Sequence, residues 1–489
     1  MTNKTPFLSG FSTFLFGRAK VSRQALLRKA RKVVIDRCPG QLSSLFAEVI
    51  APALVVSLAM NRRVRHFPDE VTFWAFLSQT LSEDRSCARA VAEVQNWRLD
   101  HGQKLPSADT SSYCKARKRL PMTMLEGVHE HLRNSLSRLT PTELLWHGHV
   151  VKAIDGSSVQ LPDTPENQLA FPQPSNQKPG CGFPVLQFGA LLNLCNGAWE
   201  QFVVSEMTVH DHKLLDAMLP YIGRNEVLLG DRAFCSYEMM ARTAALGAWM
   251  LARLHQMRKT DWRKGTKAGP NQRIVTWRKP TQPKGSCLTR EQWALLPDQL
   301  QVRLIKVRAK DRNGRLKTMF LATNLLDTER YPEEDIAALY CQRWQIELRF
   351  RDLKTTMGME VLRSKTPEMA RKELAMFVVA YNALRLLMLK ASLACGATLW
   401  RISFKGTIQI VATWEARFSR LHHKPRSHSE IIGELLTQIA KRKVPHRPGR
   451  QEPRARKRRP KPFPNLTQPR QLVHDRLRRN ALSQKLMAA

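Results

Sequence analysis

The sequence predicts a mixed α/β protein: an all-helical front, a central block of strands, and a helical back that ends in a basic tail. Three observations carry that reading. Apolar residues recur at helical spacing through roughly the first 140 residues. From His147 the pattern changes to short β-rich runs bounded by turn residues. After Tyr331, long glycine-free helical stretches return. The boundaries that follow are 1–140, 147–255, 256–330, 331–400, 401–440 and 441–489.

Composition bounds the function before any motif does. A chain of 489 residues, 43% hydrophobic and 25% charged, is long enough for two or three domains and a substantial core. Lysine and arginine number 79 against 41 aspartates and glutamates, a formal charge of +38. That excess implies a polyanionic partner, nucleic acid ahead of an anionic membrane, although a purely binding protein shares it. The nine cysteines are scattered, odd in number and form no C-x-x-C pair. They read as reduced thiols, neither a zinc site nor a disulfide framework. The apolar stretches 46–60 and 374–400 are interrupted by Glu48 and by Asn382, Arg385 and Lys390, so neither reads as membrane-spanning. The N-terminus lacks a signal-peptide layout. A soluble, cytoplasmic protein with no membrane partner is expected.

In the front region, FAEVIAPALVVSLAM, DEVTFWAFLSQTL and SCARAVAEVQNWRL read as helices separated by breaks at Pro39–Gly40, Pro68 and Pro106. The stretch Thr110–Arg119 sets Lys115, Arg117 and Lys118 behind a Thr/Ser N-cap candidate. It reads equally as a DNA-contacting helix with its cations turned to phosphate, or as a basic solvated helix.

In the central block, HVVKAI runs into Asp155-Gly156, which puts an acid where a strand gives way to a turn. A Pro-rich loop follows. FPVLQFGALLNLCNG and AWEQFVVSEM are two strands joined through Asn196-Gly197, a hairpin signal. HDHKLLDAMLPYI reads as a helix, EVLLG as a buried strand running into Asp231, SYEMMARTAALG as a helix closed by Gly247, and AWMLARLH as a further strand. Strand, hairpin, helix, strand, helix, strand, with acids at two strand ends, is the order of a ribonuclease-H-like core. Taken singly, either aspartate reads first as a turn or capping residue. The stretch from Asp231 to the next long helix exceeds any single connection in a compact fold. Residues 256–330 therefore read as a β-rich insertion, with strand-like RIVTWRKP, QVRLIKVRAK and RLKTMFLATNLL after a basic run that includes Arg258, Lys259 and Arg263.

Residues 331–365 are the most informative stretch. No Gly or Pro stands between Glu333 and Thr356, so it reads as one helix. At roughly 100° per residue, Tyr340, Arg343, Glu347 and Lys354 fall within about 60° of one another on the wheel. One face thus carries an aromatic hydroxyl, two cations and a carboxylate, although a solvated face with an Arg343–Glu347 pair has the same pattern. The spacing Tyr340-x2-Arg343-x3-Glu347-x6-Lys354 resembles the Y-R-E-K motif of DDE transposases of the insertion-sequence-4 family, and the resemblance covers roughly residues 40–400. It demands two upstream aspartates at strand ends, and Asp155 and Asp231 answer it.

The resemblance implies a DNA transposase that binds the terminal inverted repeats of its element and a double-stranded target, then cuts and joins them. It implies Asp155, Asp231 and Glu347 as catalytic residues holding two Mg²⁺ (or Mn²⁺) ions per active site, with Asp155 shared between the ions. Tyr340, Arg343 and Lys354 would contact DNA near the cleaved phosphate, and the helical front would help recognise the element's ends. A homodimer on DNA and association with the nucleoid follow from the same likeness. Relatives with hairpinned intermediates stack a flipped base on an aromatic residue. Trp262, Trp277 and Trp293 are candidates, but Met319–Phe320 stand at the expected place and each tryptophan reads first as core.

Other constellations are weaker. His210-Asp211-His212 reads as a cap with surface histidines, and no G-x-x-x-x-G-K-[ST] loop occurs. No tyrosine follows Tyr381, which excludes a C-terminal tyrosine nucleophile. From Lys441 the chain is basic and Pro-rich, expected to be disordered or extended, as a DNA tether or as a solubilising tail. Two other classes stay open beside an active transposase: a catalytically silent DNA-binding regulator of transposition, and a metal-dependent nuclease without strand transfer.

Overall fold

The structure, a computed structural model, describes residues 45–60, 66–205, 216–255, 258, 261–284, 286, 288–310, 316–421, 428–445 and 465–487. The helical front comprises α1 (Pro52–Leu58), α2 (Asp69–Leu81), α3 (Cys87–Asp100), α4 (Ser111–Arg119) and α5 (Met122–Leu139). The run FAEVIAPALVVSLAM does not form one helix. Ala51 is extended (φ −59°, ψ 127°) because the ring of Pro52 clashes with a helical residue before it. Ser86 caps α3, accepting from the Arg89 N–H at 3.1 Å. Thr110 does not cap α4; Asp109 accepts from the N–H and hydroxyl of Ser111 at 3.1 and 2.7 Å instead.

The central elements are β1 (Val150–Gln160), α6 (Pro165–Ala170), β2 (Val185–Asn193), β3 (Trp199–Ser205), β4 (Glu226–Gly230), α7 (Tyr237–Ala245) and β5 (Trp249–Arg253). Next come β6 (Thr266–Gly269), β7 (Gln272–Arg278), α8 (Arg290–Ala294), β8 (Gln299–Lys310) and β9 (Leu316–Thr323). These strands make one nine-stranded sheet in the order β3-β2-β1-β4-β5-β9-β8-β7-β6. β4 runs parallel to both β1 and β5, and the remaining pairs are antiparallel. The strands of 256–330 thus extend the central sheet, entering it where Leu251 of β5 pairs with Thr323 of β9.

Alternating residues serve opposite faces of the sheet, as the two-residue repeat of a strand requires. Val227 and Leu229 join a core shared with α5 and the long helix α11, whereas Leu228 joins Met239 and Met240 of α7 on the other face. The hairpin between β2 and β3 turns at Gly197 (φ 78°), where an added Cβ would stand 2.5 Å from Arg385 Nε.

The back of the chain forms α9 (Glu333–Gln342), α10 (Gln345–Arg351), α11 (Pro367–Cys395), α12 (Phe404–Leu421), α13 (His428–Lys441) and α14 (Arg470–Met487). Pro367 opens α11 behind the capping hydroxyl of Thr366, and left-handed Gly396 closes it. Among the described residues α11 is the one helix long and apolar enough to cross a membrane, and 89% of its apolar window is buried inside the protein. It is a core helix. The tail was expected to be disordered or extended, yet 470–487 is helical. Its proline-rich composition ends at Pro469, and Leu, Arg and Gln without Pro or Gly carry α14. Residues 446–464, Lys259 and His210-Asp211-His212 lie outside the described residues.

Candidate active site

Two acids emerge from neighbouring parallel strands. The pairing of β1 with β4 runs from Val150 opposite Glu226 to Ala153 opposite Leu229 and stops there. Asp231 directly follows the last residue of β4. Asp155 does not end its strand, contrary to the sequence expectation: β1 continues to Gln160 against β2, with Asp155 opposite Ala190. The acid marks the point where β1 loses one neighbour and keeps the other. Each carboxylate is oriented by a local backbone donor. Gly156 N–H donates to Asp155 Oδ1 at 2.8 Å, and Ala233 N–H to Asp231 Oδ1 at 2.8 Å.

The motif stretch is not one uniform helix. Between α9 and α10 the backbone tightens to three-residue hydrogen bonds, Arg343 N–H to Tyr340 O and Ile346 N–H to Arg343 O, both 3.1 Å. Beyond α10 it loosens into a π turn over Asp352–Thr356, closed by Met357 N–H to Asp352 O at 2.9 Å. Phe350 anchors α10, its ring 4.8 Å from that of Trp199 and 6.0 Å from that of Phe188. This docking presents Glu347 to the strand ends.

Arg343 joins the two elements. Its Nη1 lies 3.6 Å from Asp155 Oδ2 and its Nη2 3.7 Å from Glu347 Oε1. Lys354 Nζ stands 3.4 Å from Ser157 Oγ, two residues beyond Asp155. Tyr340 is hydrogen-bonded by Arg343 and within reach of the charges of Asp231 and Arg253. Burial, more than any charge, pushes its phenol above the ordinary value. Asp155 is pushed up to about 6, chiefly by burial and further by the charges of Asp231 and Glu347; Gly156 N–H and Arg343 pull the other way. The three acids therefore act on one another electrostatically. Among the described residues, no three His, Cys, Asp or Glu side chains converge closely enough to form a ready-made metal cage. The donors themselves are hard carboxylate oxygens, the type that suits Mg²⁺ or Mn²⁺. The side chain of Asp155 is 24% exposed and that of Glu347 43%, so the cluster opens to solvent on the helix side.

Other residues singled out in the sequence fall elsewhere. Lys115 and Lys118 are exposed on α4. Arg117 is not part of that basic face. Its guanidinium turns inward, 5.1 Å from the Phe76 ring and 5.2 Å from the Tyr113 ring, with Nη1 donating to Gln79 Oε1 at 3.1 Å. A short helix has only two or three outward positions per turn, and position 117 falls on the same side as buried Tyr113. Trp277 and Trp293 are buried and Trp262 packs on Phe320. Trp293 also lines a cleft of about 620 Å³ with Arg232, His255 and Arg258. Ser157 and Arg253 were not read from the sequence. Ser157 was legible in principle, since strand alternation puts it on the face of Asp155; Arg253 gave no local signal.

Comparison with known proteins points to a transposase. The family model described as the transposase DDE domain matches residues 146–383, a span that holds Asp155, Asp231 and all four motif residues. The chain is 27% identical over 432 residues, covering 87% of this chain and 93% of the relative, to the transposase InsG for insertion sequence element IS4 of Escherichia coli (strain K12). It is 23% identical over 222 residues, 44% of this chain and 72% of the relative, to the putative transposase InsZ of the same organism. Among solved structures, a piggyBac transposase synaptic complex with hairpin DNA aligns over 85% of this chain and 87% of its own, with 10% identity and a TM-score of 0.42, a likeness too small to argue from. The transposase DDE domain over residues 146–383 and the likeness to the IS4 transposase over most of the chain support a DDE transposase of the insertion-sequence-4 family.

Proposed function

We propose that this transposase excises and integrates its element by divalent-metal-dependent cleavage and transfer of DNA strands, with Asp155, Asp231 and Glu347 as its catalytic acids. The observation that carries the reading is the approach of Asp155 on β1, Asp231 at the end of β4 and Glu347 on α10, where burial and the charges of the other two acids raise Asp155. The order β3-β2-β1-β4-β5, with β4 parallel to both its neighbours, supports a ribonuclease-H-like core.

Asp155, Asp231 and Glu347 would hold Mg²⁺ or Mn²⁺, two ions per site, which supply a water of lowered pKa and offset the charge that builds on the phosphate. The chain's own residues do the rest. Arg343 has a planar fork suited to a phosphodiester, and Lys354 offers a point charge beside Ser157, two residues beyond Asp155 on the same face of β1. Tyr340 stays a neutral phenol, its hydroxyl free to donate to a backbone oxygen. No covalent protein intermediate is required, because a DNA 3′-hydroxyl can enter the same site after the first cut. Lys115 and Lys118 on α4 would add phosphate contacts. A dimer on paired ends, acting on chromosomal DNA in the cytoplasm, completes the reading.

The test is a cleavage-and-joining assay with Mg²⁺ on DNA carrying the repeats that flank the gene, wild type against Asp231→Asn. Nicked and joined products, both lost in the variant, are expected. Cleavage without joining would make the protein a nuclease, and specific binding without cleavage by either protein would make it a regulator.

A further inference from the structure

A second cationic site lies at the joint between the helical front and the chain that leaves the catalytic helices. A cavity of about 210 Å³ there is lined by Arg85, Arg117 and Arg363, with Gln79, Ser86 and Glu373. The three arginines come from the turn between α2 and α3, from α4, and from the segment between the π turn and α11. Each is anchored on an uncharged oxygen: Arg85 Nη1 on Gly358 O, Arg117 Nη1 on Gln79 Oε1 at 3.1 Å, and Arg363 Nη1 on Asp84 O at 2.6 Å. The one carboxylate in the lining, Glu373, also acts by charge on Arg85 and Arg117, but its hydrogen bonds go elsewhere. It accepts from the N–H of Arg363 at 3.1 Å and from the N–H and hydroxyl of Ser364 at 3.0 and 2.5 Å.

Positive charge therefore outweighs negative on the wall. Burial and the charge of Arg363 both hold the Arg85 guanidinium below its ordinary value. The Nε of Arg117 is buried with no hydrogen-bond partner, in a group that offers five N–H donors. The backbone of Arg85 is left-handed (φ 51°), a conformation a non-glycine residue keeps only when its surroundings impose it, and Gln79 Nε2 clamps its carbonyl at 3.0 Å. Converging guanidinium forks with spare donors match a tetrahedral oxyanion better than a single-point anion.

We infer that this cavity is a phosphate site, filled through the same donors by a DNA phosphodiester or by a free phosphate. An anion there bonds to α4 on one side and to the chain beyond Lys354 on the other, and so ties the helical front to the catalytic helices. The DNA source rests on the function proposed above; the free-phosphate source does not.

The test uses the full chain in a chloride buffer. Inorganic phosphate is titrated calorimetrically into wild type, Arg363→Gln, Arg363→Lys and Arg85→Gln, and a labelled duplex is bound with and without phosphate. Saturable uptake of one phosphate per chain is expected, weakened about fivefold or more in Arg363→Gln and largely restored in Arg363→Lys. If DNA is the source, phosphate competes with the duplex and the glutamine variants lower the salt slope of duplex binding by about one. If a free phosphate is the source, the glutamine variants lose phosphate while duplex affinity stays unchanged. No saturable uptake by wild type, or uptake that neither glutamine variant alters, overturns the inference. Should Arg363→Gln fail to fold, the wild-type titration and Arg85→Gln decide. None of these readouts depends on strand cleavage, so failure here is separable from failure of the catalytic reading.

Discussion

Arg343 and Asp155 face each other across the seam between sheet and helix, Nη1 to Oδ2 at 3.6 Å, while the second guanidinium nitrogen faces Glu347 at 3.7 Å. One cation thus spans two of the three acids, and it comes from the point where the backbone tightens between α9 and α10. Geometry of this kind ties the Arg343 cation to the acids beside it.

Replacing Glu347 with Gln keeps the shape of α10 and removes one charge. Strand cleavage is expected to fall by at least about 10³-fold, with duplex binding little changed. Arg343→Ala should do the reverse in part, weakening duplex binding and lowering its salt slope by about one. Single-turnover cleavage and binding measured at several salt concentrations separate the two. A Glu347→Gln protein that still cuts would remove this residue from the proposed site.

Asp155 makes a prediction in the opposite direction for stability. Its carboxyl is raised from 3.8 to about 6, so its favourable contribution is fully present below about pH 4 and is lost as pH rises through 6. The ionised group at pH 7.5 costs at most about 3 kcal/mol, by the value of two pKa units. Asp155→Asn should therefore raise the Tm in EDTA at pH 7.5, by about 1–2 kcal/mol of stability, while abolishing cleavage. The gain should vanish near pH 4. A variant less stable than wild type at pH 7.5 would show that the buried charge is already compensated.

Phe350 holds α10 on Trp199 and Phe188. Phe350→Ala should cost about 3–5 kcal/mol by denaturant unfolding. Because Glu347 sits one turn away, cleavage should drop more than the folded fraction does. Equal losses in the two would leave Phe350 a core residue with no part in positioning.

Gly197 turns the hairpin between β2 and β3 where a side chain has no room. Gly197→Ala combines a left-handed backbone with a Cβ 2.5 Å from Arg385 Nε, a fully buried guanidinium. A loss of about 2 kcal/mol or more is expected in thermal or denaturant unfolding. An unchanged Tm would mean that Arg385 moves aside freely.

Much of this was legible in the sequence because the signals were local. Asn196-Gly197 announces its hairpin by turn chemistry, DEVTFWAFLSQTL and the stretch after Pro367 announce helices by periodicity, and Gly247 marks a helix end. The motif residues were nameable because their spacing resembles that of a known family. Tertiary structure decided the rest. β1 runs past Asp155 because β2 continues to pair with it after β4 has ended. The motif stretch tightens at Arg343 and widens after Arg351 as α10 packs on Trp199 and Phe188. Arg117 abandons the basic face of α4 for two aromatic rings, and the strands of 256–330 find an edge at β5. Each of these depends on partners distant in the chain, whose packing and ladder hydrogen bonds outweigh the few tenths of a kcal/mol that local preference supplies.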